Sequence, residues 1–262
     1  GSYLYYGRWQ GTGYTGGISR VHRCGEPTEY LGSVDGFVLS LTVTGGYVFI
    51  GVQFGAAPIQ RMPVTGGAAE PFAAPGSGKG GSHLLTDGTT LFWSEFYGGE
   101  QRVFSMPVSG GPTSTLAHYA KSPTIAIDTT YVYFFQNDGL YRVAKTGGAA
   151  ELMVAHEPLD IDAVVADDTG AYYLGGHGAE LLHVAFPGAP PSQLAAGQIA
   201  DIAITPSHLY RSDSQLRALY ESNKQGGDET LLASNFDAMH QISVDASSVY
   251  GLSGTALWKV DR

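Results

Sequence analysis

Residues 128–153 read Asp128-Thr-Thr-Tyr-Val-Tyr-Phe-Phe-Gln-Asn-Asp-Gly-Leu-Tyr-Arg-Val-Ala-Lys-Thr-Gly-Gly-Ala-Ala-Glu-Leu-Met153. A turn at Asp128-Thr129-Thr130 leads into the aromatic, β-branched run Tyr131–Phe135, and a second at Asn137-Asp138-Gly139 leads into Leu140–Ala144. A third, Thr146-Gly147-Gly148, precedes the short run Glu151–Met153. Val, Tyr and Phe favour a pleated surface, whereas Gly, Asn and Asp supply the positive φ that tight hairpins need. The stretch is a meander of short antiparallel strands.

The unit returns about every 40 residues, a period typical of propeller blades. Its aromatic run recurs as Tyr3–Tyr6, Tyr47–Ile50, Leu91–Ser94, Ala171–Leu174, Leu209–Arg211 and Val249–Leu252. A further apolar strand precedes the Asp or Thr turn, for example Phe37–Val43, His83–Thr86, Ile202–Ile204 and Gln241–Val244. Each repeat therefore holds four strands, a to d from the centre outwards, and no window keeps the three-and-four spacing of an amphipathic helix. The chain opens on b, c and d, runs through five complete repeats, and closes on a, b and c. The expected fold is all-β: one β-propeller domain over residues 1–262, ring-shaped and monomeric. Seven four-stranded antiparallel blades fit best, with six as the alternative. The closing blade reads as incomplete at the N-terminus, because the first lacks its inner strand.

Composition narrows the partners. With 43% hydrophobic and 15% charged residues the chain is globular, and 37 glycines with 13 prolines suit a turn-dense β protein. A net charge of −10 argues against nucleic acid or an anionic membrane as partner, since both are polyanions. Cys24 stands alone, so no intramolecular disulfide can form. That fits a reduced compartment and equally a large exported domain that needs no staples. No run approaches the roughly 18 apolar residues of a membrane span, and no signal peptide is visible. Gly1-Ser2 leaves a processed leader open, and the expectation is an exported protein: periplasmic, surface-bound or secreted.

The order of strand a, Asp turn, strand b, loop, strand c, Gly-rich turn and strand d resembles the bacterial NHL-like and YWTD-like β-propeller repeats. Leu91-Phe92-Trp93-Ser94-Glu95 comes nearest to the YWTD signature itself. The resemblance covers the whole chain. It implies architecture and says little of activity, because propellers host enzymes, receptors and scaffolds alike. No other repeat keeps the Trp or the acidic residue after it.

The a-to-b and c-to-d turns carry the repeated Asp and Gly-Gly residues, which read as structural. The b-to-c and d-to-a loops vary from repeat to repeat, and that face is the one free to carry function. Asp35, His83, Asp162, Asp201 and His240 stand at the starts of inner strands in different blades, where a ring would draw them towards a central funnel. Imidazole with carboxylate suits a divalent cation such as calcium, zinc or manganese. The plainer alternative is that these side chains bond the ends of the inner strands. His118, His156 and His177 fall in loops of the same face. Trp9 and Tyr14 in the loop Gly7–Gly17, then Phe54, Phe96 and Tyr97, would offer rings to a sugar or an apolar ligand. The alternative is that those rings pad the joints between blades.

Three functions stay open. The preferred one is a non-enzymatic scaffold that binds a protein or small-molecule ligand on the loop-variable face. A metal-assisted hydrolase or lyase, resembling propeller lactonases or streptogramin lyases, is the second. A carbohydrate-binding propeller is the third. Gly11-Thr-Gly-Tyr-Thr-Gly16 matches a dinucleotide fingerprint but lacks the βαβ unit that gives it meaning.

Overall fold

The computed structural model describes every residue except 1, 10–14, 26, 74–79, 98, 121–123, 156–160, 187–188, 237–238 and 254–255. The side chains of residues 9, 97, 119, 239 and 240 also lie outside the description. The turns behave as their residues dictate. Asp87 Oδ1 accepts the N–H groups of Thr89 and Thr90 at 3.0 and 2.9 Å, and Asp245 Oδ1 accepts those of Ser247 and Ser248 at 2.7 and 2.9 Å. Asp128 Oδ1 does the same for Thr130 and Tyr131. Burial pushes the Asp87 and Asp245 carboxyls up, but these donors outweigh it and hold both at about 2. Gly66, Gly110 and Gly147 take φ of 92°, 92° and 89° in the c-to-d turns, a region that only glycine occupies without strain.

The strands fall into seven antiparallel sheets that follow the sequence order. One compact unit, Gly1–Pro123 with Val143–Ala149, holds the first three sheets. They are β1 (Tyr3–Trp9), β2 (Thr15–His22) and β3 (Glu29–Asp35); β4 (Phe37–Thr44), β5 (Tyr47–Gln53), β6 (Ile59–Pro63) and β7 (Glu70–Pro71); and β8 (Gly81–Thr86), β9 (Thr90–Tyr97), β10 (Glu100–Pro107) and β11 (Ser114–Ala120).

The second unit is Thr124–Arg142 with Ala150–Arg262. Its fourth and fifth sheets are β12 (Ile125–Ile127), β13 (Tyr131–Gln136), β14 (Gly139–Ala144) and β15 (Glu151–Ala155), then β16 (Ala163–Asp167), β17 (Gly170–Gly175), β18 (Glu180–Ala185) and β19 (Ser192–Ala196). The last two are β20 (Ile199–Ile204), β21 (His208–Asp213), β22 (Ala218–Asn223) and β23 (Thr230–Ser234), then β24 (Met239–Val244), β25 (Ser248–Ser253) and β26 (Ala256–Asp261).

Five sheets have four strands, and the first and last have three. Among the described residues there is no helix. The architecture is that of a seven-bladed β-propeller, and it matches the strand count expected from the repeat. The first blade has b, c and d; the seventh has a, b and c. One expectation needs correcting. Gly7–Gly17 is mostly ladder rather than a long loop, because β1 and β2 stay in register as far as Trp9 opposite Gly16.

The core lies between consecutive sheets rather than inside one. Tyr133, Phe135 and Leu140 of the fourth blade pack with Tyr173 and Val184 of the fifth. Tyr172, Leu174 and Leu181 pack in turn with Ile199, Ile202 and Leu209. The residue that opens a c-to-d turn reaches back to the strand-b aromatic of the preceding blade or to the Asp beside it. Lys145 Nζ lies 3.1 Å from Asp87 and 5.2 Å from the Phe92 ring. Phe186 stacks on Tyr133 at 5.0 Å, Lys224 pairs with Asp167, and Arg262 sits 5.2 Å over Tyr210. One position thus makes a Lys–Asp pair at two joints, a ring stack at a third and an arginine–tyrosine contact at a fourth.

Candidate binding face

Asp35, Phe37 and Leu39 lie around the junction of β3 and β4, where Leu39 is the bulged residue of the β4–β5 ladder. Asp35 is exposed and ends β3, so it precedes the inner strand rather than beginning it. Its Oδ2 accepts the Ala56 N–H at 2.9 Å, and its carbonyl accepts the buried Gln60 Nε2 at 2.5 Å. That pair holds the b-to-c loop of the second blade in place. On this loop Phe54 takes φ of 64° with 56% of its surface exposed, and Phe37 meets its ring edge-on at 6.1 Å. A bulky residue in the left-handed region is strained by about 1–3 kcal/mol. Here the strain presents an apolar ring to solvent.

Leu39 of the second blade and Phe96 of the third are also exposed apolar side chains. Phe96 is the last residue but one of β9 and Phe54 directly follows β5, while Tyr97 and Trp9 end β9 and β1. Close by in the third blade, Glu100 accepts Arg102 Nε and lies 2.9 Å from Nδ1 of the exposed His118. The His118 contact, reinforced by Arg102, lowers the Glu100 carboxyl below its usual range. Tyr14 and His156 fall outside the described residues. His177 is exposed at φ of 57° between β17 and β18.

The five residues expected to meet at a cation are placed as follows. His83 is the third residue of β8, exposed, at φ of 47°, inside an irregularity of the β8–β9 ladder. Asp162 is exposed just before β16; its N–H bonds Leu174 O at 3.2 Å. Asp201 follows the bulged Ala200 of β20, and His240 is the bulged residue at the matching place in β24. Among the described residues no group of three or more His, Cys, Asp or Glu stands close enough to hold a metal ion.

Asp201 is bound otherwise. Its Oδ1 accepts the Ile202 N–H at 2.9 Å and its Oδ2 accepts the Ile242 N–H of the next blade at 2.7 Å. Burial nevertheless dominates and raises its carboxyl to about 6. Ser40 fills the equivalent place in the second blade, where its Oγ accepts the Leu84 N–H at 3.1 Å. Thr124 does so beside β12, with its Oγ1 donating to Asp162 O at 3.4 Å. The position is an inter-blade stitch. Sequence reading noticed Asp201 but not Ser40 or Thr124, whose equivalence appears only through the ladder register. It also passed over Phe37 and Leu39, because an apolar run at alternate positions reads as core until its exposure is known.

No protein-family model and no curated protein matches the chain. Among solved structures it is similar to a puromycin-hydrolyzing peptidase of Mycobacterium tuberculosis, at a TM-score of 0.74 and 13% identity over 100% of this chain and 50% of that one. An oligogalacturonate lyase in complex with manganese superposes at 0.70 and 13% identity, over 99% of this chain and 86% of the other. A chain of a nidogen/laminin complex does so at 0.61 and 13%, over 82% and 89%. Two of these names are those of enzymes and one that of a protein complex. At such identity the likeness is one of fold alone, and it is to propellers of differing activity.

Proposed function

We infer that the protein is a binding scaffold whose exposed rings Phe54 of the second blade and Phe96 of the third receive an apolar segment of a protein ligand. The single observation behind this reading is Phe54, a strained residue whose ring is more than half exposed. Phe37, Leu39 and Phe96 add surface without polar atoms, which favours protein side chains over a sugar, whose hydroxyls need donors and acceptors. Glycine relieves the φ strain, so Phe54→Gly should leave stability unchanged or raise it by up to about 1 kcal/mol, while ligand binding falls. The stability half is read by thermal melting; loss of stability would mean that the ring supports the fold.

The binding half uses a phage-displayed library of random 12-residue peptides as the probe. Peptides with an aromatic or aliphatic anchor should be enriched on the wild-type protein and lose at least tenfold on Phe54→Gly with Phe96→Ser. Equal retention on the variant, or no enrichment, would overturn the reading. Binding of an arrayed oligosaccharide that the variant loses would replace it with the carbohydrate reading.

A further inference from the structure

The a-to-b turns repeat one chemistry, and the sixth blade departs from it. Asp87, Asp128, Asp167 and Asp245 open the turn in four blades, whereas here Thr205 leads into Pro206-Ser207-His208. Strand c changes as well. In three blades it sets a cation opposite the third residue of strand b: Arg20 opposite Tyr5, Arg61 opposite Phe49 and Lys259 opposite Tyr250. Opposite Tyr210 stands Glu221 instead, a reversal of charge. His208 lies two residues before Tyr210, which puts it on the face that Glu221 shares.

These departures meet. Thr205 Oγ1 accepts the His208 N–H at 3.0 Å and the Thr205 N–H bonds His208 O at 2.9 Å, closing a turn on which Ser207 is exposed. Ser207 Oγ lies 2.8 Å from His208 Nδ1, and His208 Nε2 lies 3.6 Å from Glu221 Oε1. The same Oε1 accepts the Tyr210 hydroxyl at 2.9 Å; burial raises that phenol to about 12, so it stays a donor. Arg262 Nη2 stands 3.4 Å from Nδ1 and 3.8 Å from Glu221 Oε1, while its Nη1 donates to Asp245 O at 3.0 Å. A guanidinium donates and never accepts. In the neutral ring Nδ1 is therefore the bare nitrogen, the proton sits on Nε2 towards Glu221, and the Ser207 hydroxyl donates to Nδ1.

We propose that Ser207, His208 and Glu221 form a hydrolytic triad for short carboxylic esters, an activity independent of the loop-face reading. The ring nitrogens exchange the roles they have in the Ser-His-Asp arrangement, since Nδ1 meets the hydroxyl. Ser207 Oγ attacks the ester carbonyl carbon, its proton passes to Nδ1, and Glu221 holds the imidazolium. Once protonated, Nδ1 no longer accepts from Arg262, which releases an Nη2 hydrogen towards the oxyanion as it forms. Collapse breaks the ester C–O bond, and the alkoxy or aryloxy group leaves with the proton from Nδ1. Water then attacks the acyl-serine while His208 takes its proton; the acid departs and Ser207 is restored. An exposed serine on a turn suits small, unhindered acyl groups.

The probe is p-nitrophenyl acetate with the whole chain. Exposed imidazoles cleave this ester without a serine, so the deciding readout is the adduct. Mass spectrometry of quenched protein should find acetyl on Ser207, and a fluorophosphonate should label the same residue. Ser207→Ala should abolish both adducts and lower turnover at least about tenfold, as should His208→Gln. Glu221 acts through His208, so Glu221→Gln should lower kcat by at least about tenfold with KM unchanged. Ser207→Ala alters an exposed side chain and should keep the wild-type melting temperature, so it decides the matter even if Glu221→Gln fails to fold. Adducts only on other residues, no adduct at all, or turnover retained by Ser207→Ala would overturn the proposal.

Discussion

Gly178→Ala should destabilise the protein by on the order of 3–4 kcal/mol, while Gly147→Ala costs about 1 kcal/mol. Both glycines have positive φ, 75° and 89°. They differ in what a methyl group would meet. At Gly147 no heavy atom comes within 4 Å, so only backbone strain is felt. At Gly178 the new carbon would lie 2.2 Å from Ile199 O, and Gly178 O accepts the Ile199 N–H at 2.9 Å. Relief therefore requires moving β20 away from the β17–β18 loop, which loosens a joint of the core. Urea denaturation of the two variants checks the ratio. Equal losses would mean that the loop yields and the joint does not.

The second large effect is one of pH. The Asp201 carboxyl is raised by burial to about 6 from an ordinary 3.8. A raised folded value means that ionisation is easier in the unfolded chain, so the group's contribution is full below about pH 4 and is lost as pH rises to 6. Two units amount to about 3 kcal/mol. Asp201→Asn cannot ionise, although its amide presents a donor to one of the two N–H groups. The stability of the variant minus that of wild type should hence rise by about 2–3 kcal/mol between pH 4 and pH 7 and stay flat above. Other titrating groups cancel in the difference. Parallel melts across that range that show a constant difference would place Asp201 in water rather than in the fold.

The fold was legible because its determinants are local. Asp87, Asp128 and Asp245 cap turns through their own neighbours, and Gly66, Gly110 and Gly147 need only a backbone angle. Such features repeat wherever the sequence repeats. The candidate site was less so, since its geometry depends on register. A one-residue bulge before Asp201 turns its carboxylate to the N–H of Ile242, and no spacing within a repeat encodes that meeting. Phe54 was legible as an aromatic in a variable loop, but its strain was not, because φ is fixed by the Asp35 and Gln60 bonds that hold the loop.

The back-reaching residue of the c-to-d turn has a consequence for how such a chain can change over generations. Lys145 meets Asp87 across 58 positions and Lys224 meets Asp167 across 57, whereas a repeat is about 40 residues long. The heritable module is then the seam, made from the tail of one repeat and the head of the one before. Copying, deleting or transplanting a single blade would mate Lys, Phe or Arg with a foreign aromatic, so whole-blade shuffling is penalised at two seams at once. Substitutions in related chains should accordingly be correlated at a lag longer than the repeat, and blades should drift apart in pairs.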